Sequence, residues 1–272
     1  MADSLRWHAA AHDGSEALLR IGEDDDAYVA EWPGRLLQRI DKKTGLSILR
    51  WREDLPERAR AKFLAGPVVA FERHVRGELS FHAGAMSLFG MAVCVLGTSG
   101  AGKSTCVYDA CMRGPWTFVA DDVAHVDMPG DRAEIQSTES VLALTPQSRL
   151  HFGMLIEGYG KELLDAPRGA PRAHVAALVE LQFEDALSTP RIEVLRGLQA
   201  VAALMNSQVR LVLSSALVHA RDMDALERLL ARVQVLRLVR PRSLERMAEA
   251  EELLAAWLQQ HGARAPQGTA ES

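Results

Sequence analysis

The chain has 272 residues, 48% hydrophobic and 25% charged, with a formal net charge of −5. That length admits one large domain, or one domain and a small lobe, and enough chain to bury a substantial core. The acidic balance argues against a general nucleic-acid binder, and no apolar run approaches the roughly 18 residues that a membrane-crossing helix needs. Three cysteines, Cys94, Cys106 and Cys111, match no zinc spacing and read as reduced, packed thiols. The polar start Met1-Ala2-Asp3-Ser4 has no signal-peptide pattern, so the expectation is a soluble cytoplasmic protein without a membrane or nucleic-acid partner.

Residues 1–75 read as a small β-rich lobe. Short apolar runs alternate with turn signals at Asp13-Gly14, Gly22–Asp26, Trp32-Pro33-Gly34 and Lys43-Thr44-Gly45. The acidic run Glu23–Asp26 reads either as a metal site or, the better fit to such runs, as a solvated turn. Leu55–Ala65, bracketed by Pro56 and Gly66, reads as a short helix, and Val68–Phe71 leads on into Arg73–Glu78.

Residues 76–262 read as the main domain. Leu79–Met86 precedes a turn at Phe89-Gly90, and Met91–Leu96 is an apolar, partly β-branched run that predicts a buried strand. Thr105–Met112 predicts a helix that stops at Arg113-Gly114-Pro115. Trp116–Ala120 predicts a strand ending in Asp121-Asp122. Beyond the turn at Pro129-Gly130-Asp131 the pattern weakens, and residues 157–173, carrying Lys161, Arg168 and Arg172, read as a mobile loop. His174–Phe183 predicts a strand. The stretch 193–261 predicts helices over Val194–Met205, Asp222–Ala231 and Leu244–His261, with a strand at Val233–Leu238. Residues 263–272 read as a frayed tail.

Between the Met91–Leu96 strand and its helix lies Gly97-Thr98-Ser99-Gly100-Ala101-Gly102-Lys103-Ser104-Thr105, which fits the phosphate-loop pattern G-x-x-x-x-G-K-[ST]. Glycines let backbone N–H groups curl round a phosphate, and the helix start aims a positive dipole end at the same oxygens. In such a loop Lys103 bridges the β- and γ-phosphates, and the Ser104 hydroxyl holds Mg2+. The metal also needs carboxylate oxygen. Asp121 and Asp122 supply two in a row, and in extended chain neighbouring side chains point opposite ways. One can face metal while the other takes a proton from an attacking hydroxyl.

The series Phe81-His82-Ala83-Gly84, Phe89-Gly90, Gly97–Ser104, Arg113-Gly114 and Val119–Asp122 resembles the catalytic domain of the HPr serine kinase/phosphorylase family. The same order of parts occurs in phosphoenolpyruvate carboxykinases. The resemblance is strongest over residues 79–125. The family's Glu-x-Arg-Gly-Leu-Gly motif is missing, with Leu155–Gly160 only an echo. In this the chain looks more like the HPr-kinase-related proteins that tailor ribosomally made peptides, including the lasso peptide kinases. The resemblance implies an α/β P-loop core, a small N-terminal β-rich lobe and C-terminal helices. It implies ATP held by Gly97–Thr105 and Lys161, Mg2+ on Ser104 and Asp121, Asp122 as general base, and His82 beside it. The two aspartates can exchange roles. Lys161, Arg168 and Arg172 read equally as charge-neutralising groups or as a solvated basic loop.

The implied activity is transfer of the ATP γ-phosphoryl group to a serine hydroxyl of a lasso-type precursor peptide. The alternatives are a carrier-protein serine kinase of the HPr type and a non-catalytic nucleotide-dependent binding module. Whether the chain forms a homo-oligomer is left open.

Overall fold

Alternating apolar residues build the N-terminal part as an antiparallel meander. Its strands are β1 (Arg6–Asp13), β2 (Glu16–Glu23), β3 (Ala27–Trp32), β4 (Leu36–Asp41) and β5 (Ser47–Trp51), neighbours in chain order. In β4 every second residue, Leu36, Gln38 and Ile40, is buried, the period that puts one face of a strand against a core. The computed structural model describes residues 5–13, 16–98, 100–137, 140–156, 160–167, 169–170, 172–211 and 216–261. The expected tail over 263–272 lies outside them. The acidic run Glu23–Asp26 forms a turn whose carboxylates are engaged locally. Asp24 accepts from the N–H groups of Ala27 and Asp26 and pairs with Arg39 at 2.7 Å, while Glu23 pairs with Lys42 at 2.7 Å.

The helix predicted to end at Gly66 does not end there. α1 (Glu57–Phe63) runs through a π-helical turn, Leu64–Val68, into α2 (Val69–Arg76). Pro67 sits inside that turn and has no N–H to give to a tight ladder, and the wider turn absorbs the defect. Phe63 packs edge-on against Trp32 and Trp51 at 5.9 and 6.3 Å, and Val68 and Phe71 join Ile21 and Ile40 in one core under the meander. The buried Arg73 of α2 pairs with Asp127 at 2.7 Å and donates to the Val126 carbonyl at 2.8 Å. This helix therefore packs against both parts.

The main sheet comes from the next strands: β6 (Leu79–Phe81), β7 (Ala83–Leu88), β8 (Met91–Leu96), β9 (Thr117–Ala120), β10 (Ala124–Asp127) and β11 (Glu134–Gln136). β12 (Val141–Leu144) and β13 (Glu162–Asp165) form a separate pair, and β14 (Arg172–Phe183), β15 (Arg191–Leu195) and β16 (Gln234–Arg240) return to the main sheet. Its order is β6-β10-β11-β14-β8-β7-β9, with β16 also on β14 and β15 outside β16. β8, β14 and β16 run parallel, and their near-continuous apolar runs reflect burial on both faces. α3 (Lys103–Arg113) and α7 (Met247–His261) cover one face, where Val107, Ala110, Leu254 and Leu258 meet Val93, Val179 and Leu236. α5 (Leu198–Ser207) and α6 (Ala216–Leu230) cover the other, with Leu204 and Leu226 against Leu178 and Phe81. α3 approaches β7 so closely that a Cβ on Gly84 would stand 2.8 Å from Val107 Cγ2.

Further along the chain the structure departs from or adds to the sequence reading. Residues 157–173 are not wholly loop: Glu162–Asp165 pairs with β12 as β13, and Arg172 already belongs to β14. The helix expected over Val194–Met205 begins only at Leu198, because Val194 is in β15 and Gly197 breaks the chain direction with φ of 52°. The weakly patterned stretch after Asp131 holds β11, β12 and the short helix α4 (Pro146–His151), elements too short to show a period. Among the described residues no helix is long and apolar enough to cross a membrane.

Candidate active site

Strand direction decides where the chemistry collects. β7 is antiparallel to β8 and β9 is antiparallel to β7, so β9 runs with β8, β14 and β16. The carboxyl ends of β8, β9, β14 and β16 therefore lie on one edge, together with the start of β7. In open α/β sheets this edge is where ligands bind. It gathers His82, Gly100, Gly102, Lys103, Ser104, Asp122, Phe183 and Arg240 around a cavity of about 550 Å³. That volume falls within the range of small-molecule sites, roughly 300–1,000 Å³.

The loop joins β8 directly to α3. Gly102 takes the left-handed conformation at the helix N-cap (φ 81°, ψ 20°), which lets the chain turn into the helix at Lys103. Lys103 is 7% exposed and donates to the carbonyls of Gly97 at 2.7 Å and Thr98 at 3.1 Å. An ammonium has three N–H donors, so one remains for a ligand. Burial lowers the Lys103 pKa, Asp122 and Asp121 work against that, and Lys161 adds to it. Ala101 closes the turn by donating to the Thr98 carbonyl at 3.1 Å. Gly100, Gly102, Ser104 and Thr105 line the cavity, and Ser99 lies outside the described residues. The Thr105 hydroxyl lies 2.8 Å from that of Ser148 on α4, whose N-cap is Thr145.

Asp121 and Asp122 part as adjacent residues should. Asp122 faces the cavity with Ser104. Asp121 lies behind it, 1% exposed, its Oδ2 accepting from the Ala143 N–H at 2.9 Å and pairing with Lys62 at 3.4 Å. Of the pair expected to hold metal, Ser104 is therefore on the wall and Asp121 is not, and the carboxylate beside Ser104 is that of Asp122. Asp122 itself has φ of 84°, a backbone conformation that costs a non-glycine residue about 1–3 kcal/mol. His82 approaches it with Nδ1, 2.9 Å from the Asp122 main-chain oxygen and 3.2 Å from Oδ1. A carbonyl only accepts, so Nδ1 carries the proton, and Nε2 keeps its lone pair. Burial, Lys103 and Lys161 lower the His82 pKa against the opposing pull of Asp122.

Lys161 lines the cavity as the sequence reading allowed. Arg172 does not: it starts β14, at the far end of that strand from the site, and pairs with Glu134 at 3.3 Å. Arg168 lies outside the described residues. Lys62, Thr145, Ser148, Phe183, Arg240 and Arg242 were not foreseen. None sits in a motif, and each reaches the site only through a distant element of the fold.

No protein-family model and no curated protein matches the chain. Among solved structures the chain is similar to that of the Hpr(Ser) kinase/phosphatase from Coxiella burnetii, at 14% sequence identity and a TM-score of 0.39. The match covers 66% of this chain and 97% of that one. A likeness of that strength says nothing about activity, which has to be argued from the residues of the site.

Proposed function

We propose that this chain is a kinase that transfers the γ-phosphoryl group of ATP to a serine hydroxyl of a peptide. The observation that carries the reading is the juxtaposition, across one cavity, of a strand–loop–helix phosphate cradle bearing Lys103 with the Asp122–His82 pair. A cradle alone binds nucleotide. A carboxylate facing it gives an incoming hydroxyl a proton acceptor, which a pure binding module does not need.

In this reading the loop N–H groups, the α3 start and Lys103 hold the phosphates. The serine oxygen attacks the γ-phosphorus, the bond to the β,γ-bridging oxygen breaks, ADP leaves, and the serine proton passes to Asp122. His82 orients Asp122 through Nδ1–H. Lys161 supplies further positive charge. Oxygen donors suit Mg2+, and the Ser104 hydroxyl and the Asp122 carboxylate on the cavity wall would hold it, with Asp121 behind them. The metal would neutralise charge on the phosphate oxygens. The sequence resemblance favours a ribosomally made, lasso-type precursor as the acceptor.

Intact-mass spectrometry of the chain incubated with Mg·ATP and the precursor peptide encoded beside its gene tests this. A gain of one phosphoryl group on peptide serine, lost in Lys103→Ala and Asp122→Asn, supports it. Phosphorylation of a carrier protein but not of the peptide moves the acceptor. ATP binding with no transfer to any hydroxyl leaves a nucleotide-dependent binding module.

A further inference from the structure

Arg240, the last residue of β16, is 3% exposed. Among the described residues it has no carboxylate within ion-pair distance. Its Nε has no hydrogen-bond partner. Its Nη1 reaches only the carbonyls of Pro241 and Ser243, at 3.5 and 3.4 Å, long for a hydrogen bond. The guanidinium rests on the Phe183 ring, 4.8 Å from its centroid, because β14 and β16 pair in parallel with Phe183 opposite Arg240. Its Nη2 presses on the phosphate loop: a Cβ on Gly102 would lie 3.3 Å away.

The groups facing Arg240 do not neutralise it. Glu251 of α7 makes no ion pair with it, and burial first and then Asp109 push that carboxyl up to about 8, toward its neutral form. Burial likewise pushes the Cys106 thiol up to about 12. Burial lowers the pKa of Arg240 itself, with Cys106 and Glu251 opposing, yet a guanidinium stays charged at any ordinary pH. A buried, charged arginine without a counter-ion is costly, and proteins keep such a group only where something pairs with it.

We infer that Arg240 is a phosphate-binding residue of this site, its planar fork of N–H donors set to take polyphosphate oxygens beside Lys103. The inference rests on the nucleotide-site reading above. Phe183 holds the guanidinium flat at the cavity wall, and the incoming anion is the charge partner that the fold omits. Lysine at this position would give a point charge without the bidentate geometry.

The test uses the full chain and two probes, Mg·ATP and inorganic pyrophosphate, titrated calorimetrically, with thermal melting of each ligand-free variant. Arg240→Met should weaken both probes by about tenfold or more, the scale of a lost charged hydrogen bond. Its ligand-free melting temperature should stay level or rise, because an unpaired buried charge has gone. Arg240→Lys, which keeps the charge but not the planar fork, should recover only part of the pyrophosphate affinity. Unchanged binding by Arg240→Met overturns the inference. So does a lowered melting temperature with no recovery in Arg240→Lys, the behaviour of a merely structural arginine. If the unmodified chain binds neither probe, the nucleotide-site reading itself falls.

Discussion

His82 Nδ1 stands 2.9 Å from the main-chain oxygen of Asp122 and 3.2 Å from its carboxylate. The contact spans two strand ends, the start of β7 and the end of β9, at a residue, Asp122, whose φ is 84°. Strain of this kind persists where the surroundings over-determine a residue. Asp122→Gly should therefore keep or raise stability, by about 1 kcal/mol, while abolishing phosphoryl transfer. Asp122→Asn should melt close to the parent temperature and lose roughly 10²–10⁴ in transfer rate. Denaturant melts and initial rates on both variants check this pair.

The electrostatics of His82 give a signed prediction. Burial, then Lys103 and further off Lys161, lower its pKa below the usual 6.5, so it is neutral at pH 7. Lys161→Met removes one of those cations, and the His82 pKa should rise. NMR titration of the His82 ring should show the upward move, and the acid limb of kcat/KM should shift to higher pH with it. A downward or absent move would contradict the placement of Lys161 near the ring.

Lys103→Met should remove nucleotide phosphate affinity and lower transfer by about 10²–10³, as removal of a charge-stabilising donor does. Circular dichroism should be unchanged, since the α3 backbone starts at Gly102 whatever side chain follows. Equilibrium binding of Mg·ATP separates loss of affinity from loss of the chemical step.

His125 predicts how stability responds to acid. Its ring is buried between the Ser80 hydroxyl and the Ala65 carbonyl, both at 2.8 Å, and burial lowers its pKa to about 4. The unfolded chain takes up the proton near 6.5, so the contribution is complete above that pH and is lost as pH falls toward about 4. The span corresponds to about 3 kcal/mol. His125→Gln should flatten that part of the pH–stability curve.

Glu251 acts in the opposite sense. Burial and Asp109 push it up to about 8, so the folded state binds a proton that the unfolded state has released above about 4.5. Stability from this group is full at low pH and falls as pH rises through 8. Glu251→Gln should melt like the parent at pH 5 and higher than the parent at pH 9.

What the sequence determined by itself was local. The glycine-rich turn ending at Gly102 lies between a strand and a helix that both form where their apolar runs predict, because strand, turn and helix are contiguous and each signal sits within a few residues of the next. The meander turns at Trp32-Pro33-Gly34 and Lys43-Thr44-Gly45 and the strand ending before Asp121-Asp122 are local for the same reason. The loop between that strand and helix, and the place of Asp122 at a strand end, were therefore legible, while His82 was singled out only through resemblance. Tertiary structure alone decided the rest. Which aspartate faces the cavity depends on how β9 meets β7, and Lys62 meets Asp121 only because α1 folds back over it. Phe183 and Arg240 converge on the loop after β8 because β14 and β16 lie parallel to β8, so strands distant in the chain end at one edge. No spacing in the sequence records that convergence, since parallel pairing joins strands through long crossovers whose length does not encode register.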